Sequence, residues 1–466
     1  MRVLLVNPSM NMQKLGRFAE LLEPMPPTGI AYIAGALVHA GFHTRAIDMF
    51  AEKLTAVQVV ERAQRFAPDL IGMTVLTPSA PTCEKLARML REALPGVKIV
   101  WGGVHADVFA KDILRAGTAD FVVHHDGEDT IVELAQAMQA GERDFGRVDG
   151  LTWMDGGEPV TNKTRALRRD LDSLPYPAWD LFPYHRYGLL PFADADKPVL
   201  TMTGSRGCPY RCDYCSLLHS GKVYRRRDPI KIVDEYEHLV DRYGVKQIGF
   251  VDPIFPLVIK DLKPLCEEMI ARKLDQRCQW LSETRADRLD EDTCRMMYEG
   301  GCRRVLMGIE SGVDMLLGNV NKNLTTEKVR WGVNNARKAG LQTVGLFMIG
   351  MPGETPEMTR ETIEFAVDLD FAKFAITVPF PGSKLFEDQW QKTLFRDDWE
   401  NYTTFNPDAD RLVYHPEGYD PEVLIKMQSY ALRRFYMRYD QVKRQLVELR
   451  TINPKMMLYG IYGMAI

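Results

Sequence analysis

The 466-residue chain lacks several features that would place a protein in a simple class. It has no run of about 20 apolar residues, the length that a membrane-spanning helix needs. Its formal net charge is only −4, so it lacks the excess of basic residues that is typical of nucleic-acid-binding proteins. Apolar residues make up 45% and charged residues 26%, which excludes a disordered or collagen-like chain and leaves a globular protein.

The sequence also lacks signs of secretion. Its first ten residues turn polar too early for a secretion signal, so we expect a cytoplasmic protein. Only eight cysteines occur in this length, which is too sparse for a disulfide framework. Five of them are scattered and are expected to be small buried side chains. The other three, Cys208, Cys212 and Cys215, lie close together in the chain.

Residues 1–141 alternate short apolar runs with segments of helical periodicity, and five such pairs predict an open, doubly wound parallel sheet. Such sheets bind ligands at the carboxyl ends of their strands. No G-x-G-x-x-G follows the first strand, so a dinucleotide site is a poor interpretation and the residues alone predict only a ligand site. Small or polar residues stand at the predicted strand ends, among them Thr74, Thr77, Gly102, Gly103, His105, Gly127 and Glu128.

The rest of the chain divides into three predicted parts. Residues 142–195, rich in proline and aromatic residues, are predicted to link two domains. In residues 196–400 six further strands alternate with helices, too few for a closed eight-stranded barrel, and this predicts a partial, open barrel. Residues 401–466 are predicted to form a helical C-terminal region. It ends in an apolar segment, 454–466, that is too short to span a bilayer.

The clustered cysteines follow the first strand of this second domain with the spacing C-x3-C-x2-C. Three thiolates on one short loop can hold one metal centre. Zinc would need a fourth ligand, which His219 could supply, whereas an iron–sulfur cluster is also held by thiolates. The position at the mouth of a large α/β domain favours a cluster, and a zinc-stabilised binding module is the alternative.

The segment from Gly207 to Cys215 resembles the signature of radical S-adenosylmethionine (SAM) enzymes, C-x3-C-x-aromatic-C. The resemblance implies that the three cysteines hold a [4Fe-4S] cluster and that Tyr214 contacts the adenine of SAM. Further segments resemble the family's SAM-binding motifs, although Pro253 replaces the second acid of one of them. The residues that these segments assign to SAM are Asp252, Glu283 and Arg285 of E-x-R, and Glu310 and Ser311 of G-x-E-S.

The first domain is similar to the cobalamin-binding domain of the B12-dependent members of that family. Where the family often has G-E-G-E, this chain has His125-Asp126-Gly127-Glu128. It has no D-x-H-x-x-G, the motif that supplies an axial histidine to cobalt. The resemblance assigns to cobalamin the strand-end residues Thr74, Thr77, Gly102, Gly103, His105, Gly127 and Glu128.

The resemblance implies an enzyme that cleaves SAM reductively to a 5′-deoxyadenosyl radical and abstracts hydrogen from an unactivated carbon. Methyl transfer from methylcobalamin is the expected next step. The alternative is a non-methylating reaction, such as dehydration, cyclisation or rearrangement, in which the first domain need not bind cobalamin. Either reaction needs a small-molecule substrate and an external one-electron reductant. We expect no nucleic-acid partner and no membrane span.

Overall fold

A computed structural model of the protein describes residues 1–12, 22–189, 197–216, 223–390, 392, 398–405, 408–439 and 443. Two sheets, formed by successive parts of the chain, dominate this structure. His219 and the apolar segment 454–466 lie outside the described residues. No helix within the described ranges has the length and apolar character that crossing a membrane requires.

The first sheet has seven strands in the order β2-β1-β3-β4-β5-β6-β7. The first five are parallel, which confirms the predicted doubly wound sheet. Strands β6 and β7 form an antiparallel hairpin whose turn is Gly156-Gly157, with positive φ at both glycines. The strands are β1 Arg2–Asn7, β2 His43–Asp48, β3 Leu70–Thr74, β4 Lys98–Gly102, β5 Phe121–Val123, β6 Leu151–Asp155 and β7 Glu158–Thr161.

That hairpin lies in the segment predicted to be a linker, and β6 pairs with β5, so the first sheet continues beyond residue 141. Helices cover both faces of the sheet, where two apolar clusters form the core. Local signals fix several helix starts; Thr55, for example, forms a capping box with Gln58. The helices are α1 Thr28–His39, α2 Met49–Glu52, α3 Ala56–Phe66, α4 Ala80–Ala93, α5 Val104–Arg115 and α6 Glu128–Gln139.

The second sheet has six parallel strands in the order β15-β14-β13-β12-β11-β8, so each strand lies beside the next one in the chain. This confirms the six predicted strands and the partial barrel. A short antiparallel pair, β9 with β10, stands at its mouth. The strands are β8 Val199–Met202, β9 Ser205–Arg206, β10 Arg225–Arg226, β11 Gln247–Phe250, β12 Gln279–Thr284, β13 Cys302–Glu310, β14 Gln342–Ile349 and β15 Phe371–Ile376.

The helices of this half stand on one face of the second sheet, and the C-terminal helix α14 packs against β15 through Phe435 and Phe374. The predicted helical C-terminal region is confirmed for α14. The segment before it runs along the edge of β15, where the Ile376 amide donates to the Thr404 carbonyl at 3.0 Å. The helices are α7 Pro229–Tyr243, α8 Ile259–Ala271, α9 Glu291–Glu299, α10 Asp314–Asn319, α11 Thr326–Lys338, α12 Pro356–Ala366, α13 Lys384–Gln389 and α14 Pro421–Tyr436.

Successive residues of a strand point to opposite faces of the sheet, and the two faces of the second sheet carry different sets of side chains. The face under the helices carries large buried side chains such as Trp280 and Met307. The opposite, inner face carries a separate apolar cluster that includes Leu281, Leu306 and Val344. This cluster fills the inner face near the strand starts, so the free part of the inner face lies towards the carboxyl ends.

Candidate active site

The loop that carries the three cysteines begins at a fixed position. The carboxylate of Asp252, at the end of β11, is fully buried and accepts hydrogen bonds from the Gly204 amide at 3.0 Å and from the Ser205 hydroxyl. Burial raises the pKa of Asp252 to about 7. A side chain at Gly204 would meet the ring of Phe255 at 2.4 Å, so only glycine fits there. Asp252 thus positions the start of the loop.

The cysteine thiols lie where that loop turns. Cys212 is buried, Cys208 and Cys215 are half-buried, and the Cys215 amide donates to the Cys212 carbonyl at 3.1 Å. All eight cysteines are among the described residues, and none forms a disulfide. The scattered five are buried, as predicted, and burial raises the pKa of each of their thiols. They therefore stay protonated.

Among the described residues, no group of three or more histidine, cysteine or acidic side chains converges on one metal ion. Thiolates are the usual ligands of an iron–sulfur cluster. The three thiols on one loop fit that group, and they would hold it at the mouth of the second sheet.

Cations stand beside these thiols. Burial raises the pKa of Cys208, whereas the charges of Arg285 and Lys322 favour its thiolate. The guanidinium of Arg285 donates to the carbonyls of Lys322 at 2.9 Å and Asn323 at 2.8 Å. It also stacks on the ring of Tyr210, 3.9 Å from its centre, between the first two cysteines of the loop. Arg285 therefore stabilises the loop as well as offsetting its negative charge.

Two of the predicted SAM residues meet a third residue that the sequence did not indicate. The Tyr214 hydroxyl donates to Glu310 at 2.8 Å, and the Lys322 ammonium donates to Glu310 at 2.8 Å and to the Tyr214 oxygen at 3.0 Å. Glu310 has a φ of +69°, a strained conformation for a residue other than glycine. Lys322 lies in a loop outside any motif, so no sequence signal could have found it.

The two remaining predicted SAM residues differ in their surroundings. Ser311 is fully buried; its hydroxyl lies 3.1 Å from that of Thr362 and accepts from the Val313 amide at 3.1 Å. It anchors the loop after β13. Glu283, by contrast, is on the inner face of β12 and exposed to water, yet burial raises the pKa of its carboxyl. Glu283 pairs in register with Leu306, a residue of the inner apolar cluster.

The first sheet carries a cleft of about 370 Å³ at the carboxyl ends of its strands, against the start of the second domain. This volume is in the range of small-molecule sites. Residues of both domains line the cleft, including Tyr32, His125 and Asp126 of the first and Thr203 and Arg206 of the second. Of the residues predicted to bind cobalamin, the cleft is lined by Thr74, Gly102, Gly103, Gly127 and Glu128.

The structure places Thr77 and His105 behind that cleft. Both are buried, and Nδ1 of His105 lies 3.4 Å from the Thr77 hydroxyl. The His105 ring packs against Phe109 and Trp399, with ring centres 4.8 and 5.1 Å away. Burial lowers the pKa of His105 to about 4, so the ring is neutral. Sequence position alone could not distinguish a residue on the cleft lining from one packed behind it.

Glycines make the wall of the cleft open and flat. A Cβ atom at Gly29 would have no neighbour within 4 Å, and one at Gly102 would only touch the Val123 carbonyl at 3.7 Å. Gly103 has a φ of +100°, and a Cβ there would lie 2.8 Å from the Val75 carbonyl. Side chains at these positions would occupy the cleft or distort its wall, so its shape fits a large flat cofactor such as cobalamin.

Charged residues join the cleft to the cysteine loop. Arg206, two residues before Cys208, pairs with Glu128 at 2.6 Å and with Asp126 at 3.4 Å. Its guanidinium stacks on Tyr32 at 5.3 Å. Arg225, beside it on β10, pairs with Asp126 at 2.5 Å. Sequence reasoning missed Arg206 because its partners lie about 80 residues earlier in the chain.

Comparison with known proteins identifies the class of protein that this fold and site define. Residues 16–135 match the B12 binding domain and residues 202–366 match the radical SAM superfamily. The chain is 32% identical over 418 residues to an uncharacterised methyltransferase of Pyrococcus horikoshii, covering 89% of this chain and 88% of the relative. It is 30% identical to the anaerobic magnesium-protoporphyrin IX monomethyl ester cyclase of Cereibacter sphaeroides, covering 94% and 71%.

Among solved structures, the chain resembles the radical SAM methyltransferase TsrM of Kitasatospora setae, which contains cobalamin and a [4Fe-4S] cluster. The TM-score is 0.68 at 22% identity, over 84% of this chain and 78% of TsrM. The chain belongs to the family of radical SAM enzymes with a B12-binding domain. Its cofactors are therefore a [4Fe-4S] cluster, SAM and cobalamin.

Proposed function

We propose that the protein is a cobalamin-dependent radical SAM methyltransferase that abstracts hydrogen from an unactivated carbon of a small molecule and methylates that molecule. The observation that carries this proposal is the connection of the two cofactor sites. Arg206 lines the cleft of the first domain and stands two residues before Cys208. A methyl carrier in the cleft and a radical source at the cysteine loop would then face the same substrate.

When bound, the cluster and SAM supply a carbon radical, and cobalamin supplies a methyl group. The chain's own residues hold and orient these groups. We assign Cys208, Cys212 and Cys215 to the cluster, and Tyr214, Glu310 and Glu283 to the surroundings of SAM. The cation Lys322 neutralises Glu310, which keeps the charge at this buried position balanced.

Other residues act by positioning. Asp252 holds the start of the cysteine loop, Arg285 stacks on Tyr210 within it, and Ser311 holds the loop that follows Glu310. In the first domain, the glycines at the strand ends leave space for cobalamin, while Glu128 holds Arg206 at the rim. An external reductant must supply the electron. The predicted bounds of the second domain, 196–400, and of the C-terminal region, 401–466, belong to this proposal as well, as does the cytoplasmic location, whereas the first domain extends through β7.

The test begins with metal content. Protein reconstituted anaerobically with iron, sulfide and hydroxocobalamin should contain about four irons and one cobalt per chain. It is then incubated with SAM carrying a deuterated methyl group, a reductant and a metabolite extract. The proposal expects deuterated methyl in an extracted compound, together with 5′-deoxyadenosine. Formation of 5′-deoxyadenosine without methyl transfer to any compound would contradict it.

One observation favours the non-methylating alternative: the chain is 30% identical to a cyclase over 94% of its length. In that case the same experiment gives a product of altered mass that carries no deuterium. The zinc-stabilised binding module, by contrast, is not proposed further, because the chain belongs to the radical SAM family.

A further inference from the structure

Lys373 stands on the inner face of the second sheet. It follows Phe371 by two positions on β15, so both side chains point to the same face. Phe371 packs on the inner apolar cluster, whereas Phe374 packs beneath the helices. Lys373 pairs in register with Leu346 of β14, another residue of the inner face. It therefore lies one layer of side chains nearer the carboxyl end than Val344 and Phe371 of the apolar cluster.

The ammonium of Lys373 has no hydrogen-bond or ion-pair partner among the residues that the structure describes. The ring of Phe405 lies beside the ammonium, with its centre 5.6 Å from Nζ. The side chain is exposed to water, yet burial lowers the pKa of the ammonium. The ring of Phe405 beside Lys373, and the position of Lys373 on the same face as the inner apolar cluster, place the ammonium inside the partial barrel rather than on the outer surface.

Some charged groups on this inner face form an ion pair, and others do not. Glu310 is neutralised by Lys322 at 2.8 Å. Glu283 and Lys373 influence each other through space but are too far apart to form an ion pair. A charge that is partly withdrawn from water without gaining a partner costs free energy unless a ligand supplies the opposite charge. Glu283 is already assigned to SAM, so Lys373 is the group left for another ligand.

We propose that Lys373 anchors an anionic group of the substrate, either a carboxylate or a phosphate. This inference rests on the proposed function, because it needs a small molecule to react in the barrel. It adds that the substrate is an acid and that its anionic end lies beside β15. The ring of Phe405 then shields the ion pair from water on one side. Lys373 is a binding and specificity residue, and no proton or electron passes through it.

The experiment measures binding and reaction separately. A metabolite extract of the source organism is divided on a quaternary-amine resin into a retained anionic fraction and an unretained fraction. The protein, loaded with its cofactors, is acetylated with sulfo-N-hydroxysuccinimide acetate in the presence of each fraction, and Lys373 acetylation is read by peptide mass spectrometry. The anionic fraction should protect Lys373, and Lys384, an exposed lysine paired with Asp388, should react equally throughout.

The same fractions are then used with SAM carrying a deuterated methyl group. Lys373→Met should lower methyl transfer to the anionic substrate by at least about 30-fold, because the ion pair between the ammonium and the substrate's anionic group is lost. Lys373→Arg, which keeps the charge, should retain most of the transfer, and Lys384→Met should match the unchanged protein. Formation of 5′-deoxyadenosine without extract should be the same in Lys384→Met and the unchanged protein. Because the charge of Lys373 acts on Glu283, methyl transfer by the two Lys373 variants is expressed per 5′-deoxyadenosine formed.

Phosphatase treatment of the anionic fraction identifies the anion: loss of protection indicates a phosphate, and unchanged protection indicates a carboxylate. The inference is overturned if only the unretained fraction protects Lys373, if neither does, or if Lys373→Met transfers methyl as well as the unchanged protein. Protection without methyl transfer to any compound would instead contradict the proposed function while supporting the anion site.

Discussion

The two ligand-binding edges of the molecule use different physical means. At the end of the first sheet the cleft wall is made of glycines and apolar side chains, and its charged rim residues pair with one another, as Arg206 does with Glu128. At the end of the second sheet, thiols and charged groups dominate. Within the described part of the chain, Glu283 and Lys373 stand there without an ion-pair partner. We therefore expect the first edge to select its ligand by shape and the second by charge and coordination.

This difference has a consequence for substitutions. A site defined by shape is most sensitive to added volume, because a new side chain occupies the space of the ligand. A site defined by donors and charges is most sensitive to their removal, because nothing else can replace a thiolate or an ion pair. The first two predictions remove a thiolate at the second edge and add volume at the first edge. Loss of cobalamin in the former variant, or of iron in the latter, would contradict the comparison.

The largest effect is expected from Cys212→Ala. Removal of a thiolate ligand should abolish the [4Fe-4S] cluster and with it the cleavage of SAM. Cobalamin binding in the first domain should be unchanged, because the cleft does not depend on this thiol. Iron and cobalt are measured together with 5′-deoxyadenosine. Cys294→Ala, at a buried thiol away from the loop, is the matched control and should keep its iron; retained SAM cleavage in Cys212→Ala would refute the assignment.

The next effect should come from Gly29→Leu. Its side chain would project into the cleft, where Gly29 now leaves open space, and should weaken cobalamin binding by at least about tenfold. Gly29→Ala, with a single added carbon, should have a smaller effect. The affinity is measured by spectroscopic titration with hydroxocobalamin, and the iron content serves as the control. Equal affinity in both variants and the unchanged protein would show that cobalamin does not occupy this cleft.

Much of this organisation could be predicted from the sequence, because it depends on local patterns. The alternation of apolar runs and helical segments predicted both sheets, and the spacing of Cys208, Cys212 and Cys215 predicted the metal loop. The glycines at strand ends predicted the cleft. Each of these signals lies within a short stretch of the chain, and the same stretch forms the structure that the signal predicts.

What could not be predicted depends on contacts between distant parts of the chain. Lys322 meets Glu310 and Tyr214 only because a loop folds back over β13. Arg206 meets Glu128 because the two sheets face each other. The hairpin of β6 and β7 lies in the segment predicted to be a linker, and nothing in its sequence showed that it extends the first sheet. Burial of His105 behind the cleft is likewise a matter of tertiary packing.

The contact between the two edges gives the third prediction. Arg206→Met removes one partner from a buried ion pair and leaves Glu128 without its cation, so we expect a loss of about 3–5 kcal/mol in the free energy of unfolding. Arg226→Met removes an exposed pair with Asp261 and should cost less than about 1 kcal/mol. Denaturant unfolding compares the two. Similar losses in both variants would mean that the Arg206 pair is no more buried than a surface contact.

The smallest effect is the change of stability with pH. The pKa of a buried carboxyl group is lowered in the first domain and raised in the second. In the first domain, burial raises the pKa of the Asp107 carboxyl, but hydrogen bonds with His124 and His125 outweigh burial and hold this pKa below its usual value. The stability that the Asp107 carboxylate contributes is therefore present above the usual pKa of an aspartate and is lost as the pH falls below that value. Glu354, after β14, is the opposite case. Burial raises its pKa from 4.5 to about 7, although the Thr359 hydroxyl and the Met351 amide donate to it.

The protonated form of Glu354 is therefore favoured in the folded protein, and stability present at pH 4.5 is lost as the pH rises towards 7. Glu354→Gln should remove this loss, since an amide cannot ionise, can accept from the Met351 amide and can donate to the Thr359 hydroxyl. Relative to the variant, the unchanged protein should lose about 1.4 kcal/mol of stability per pH unit in this interval. Unfolding at pH 5, 6 and 7 measures the difference, and parallel pH profiles would show that the carboxylate is hydrated rather than buried.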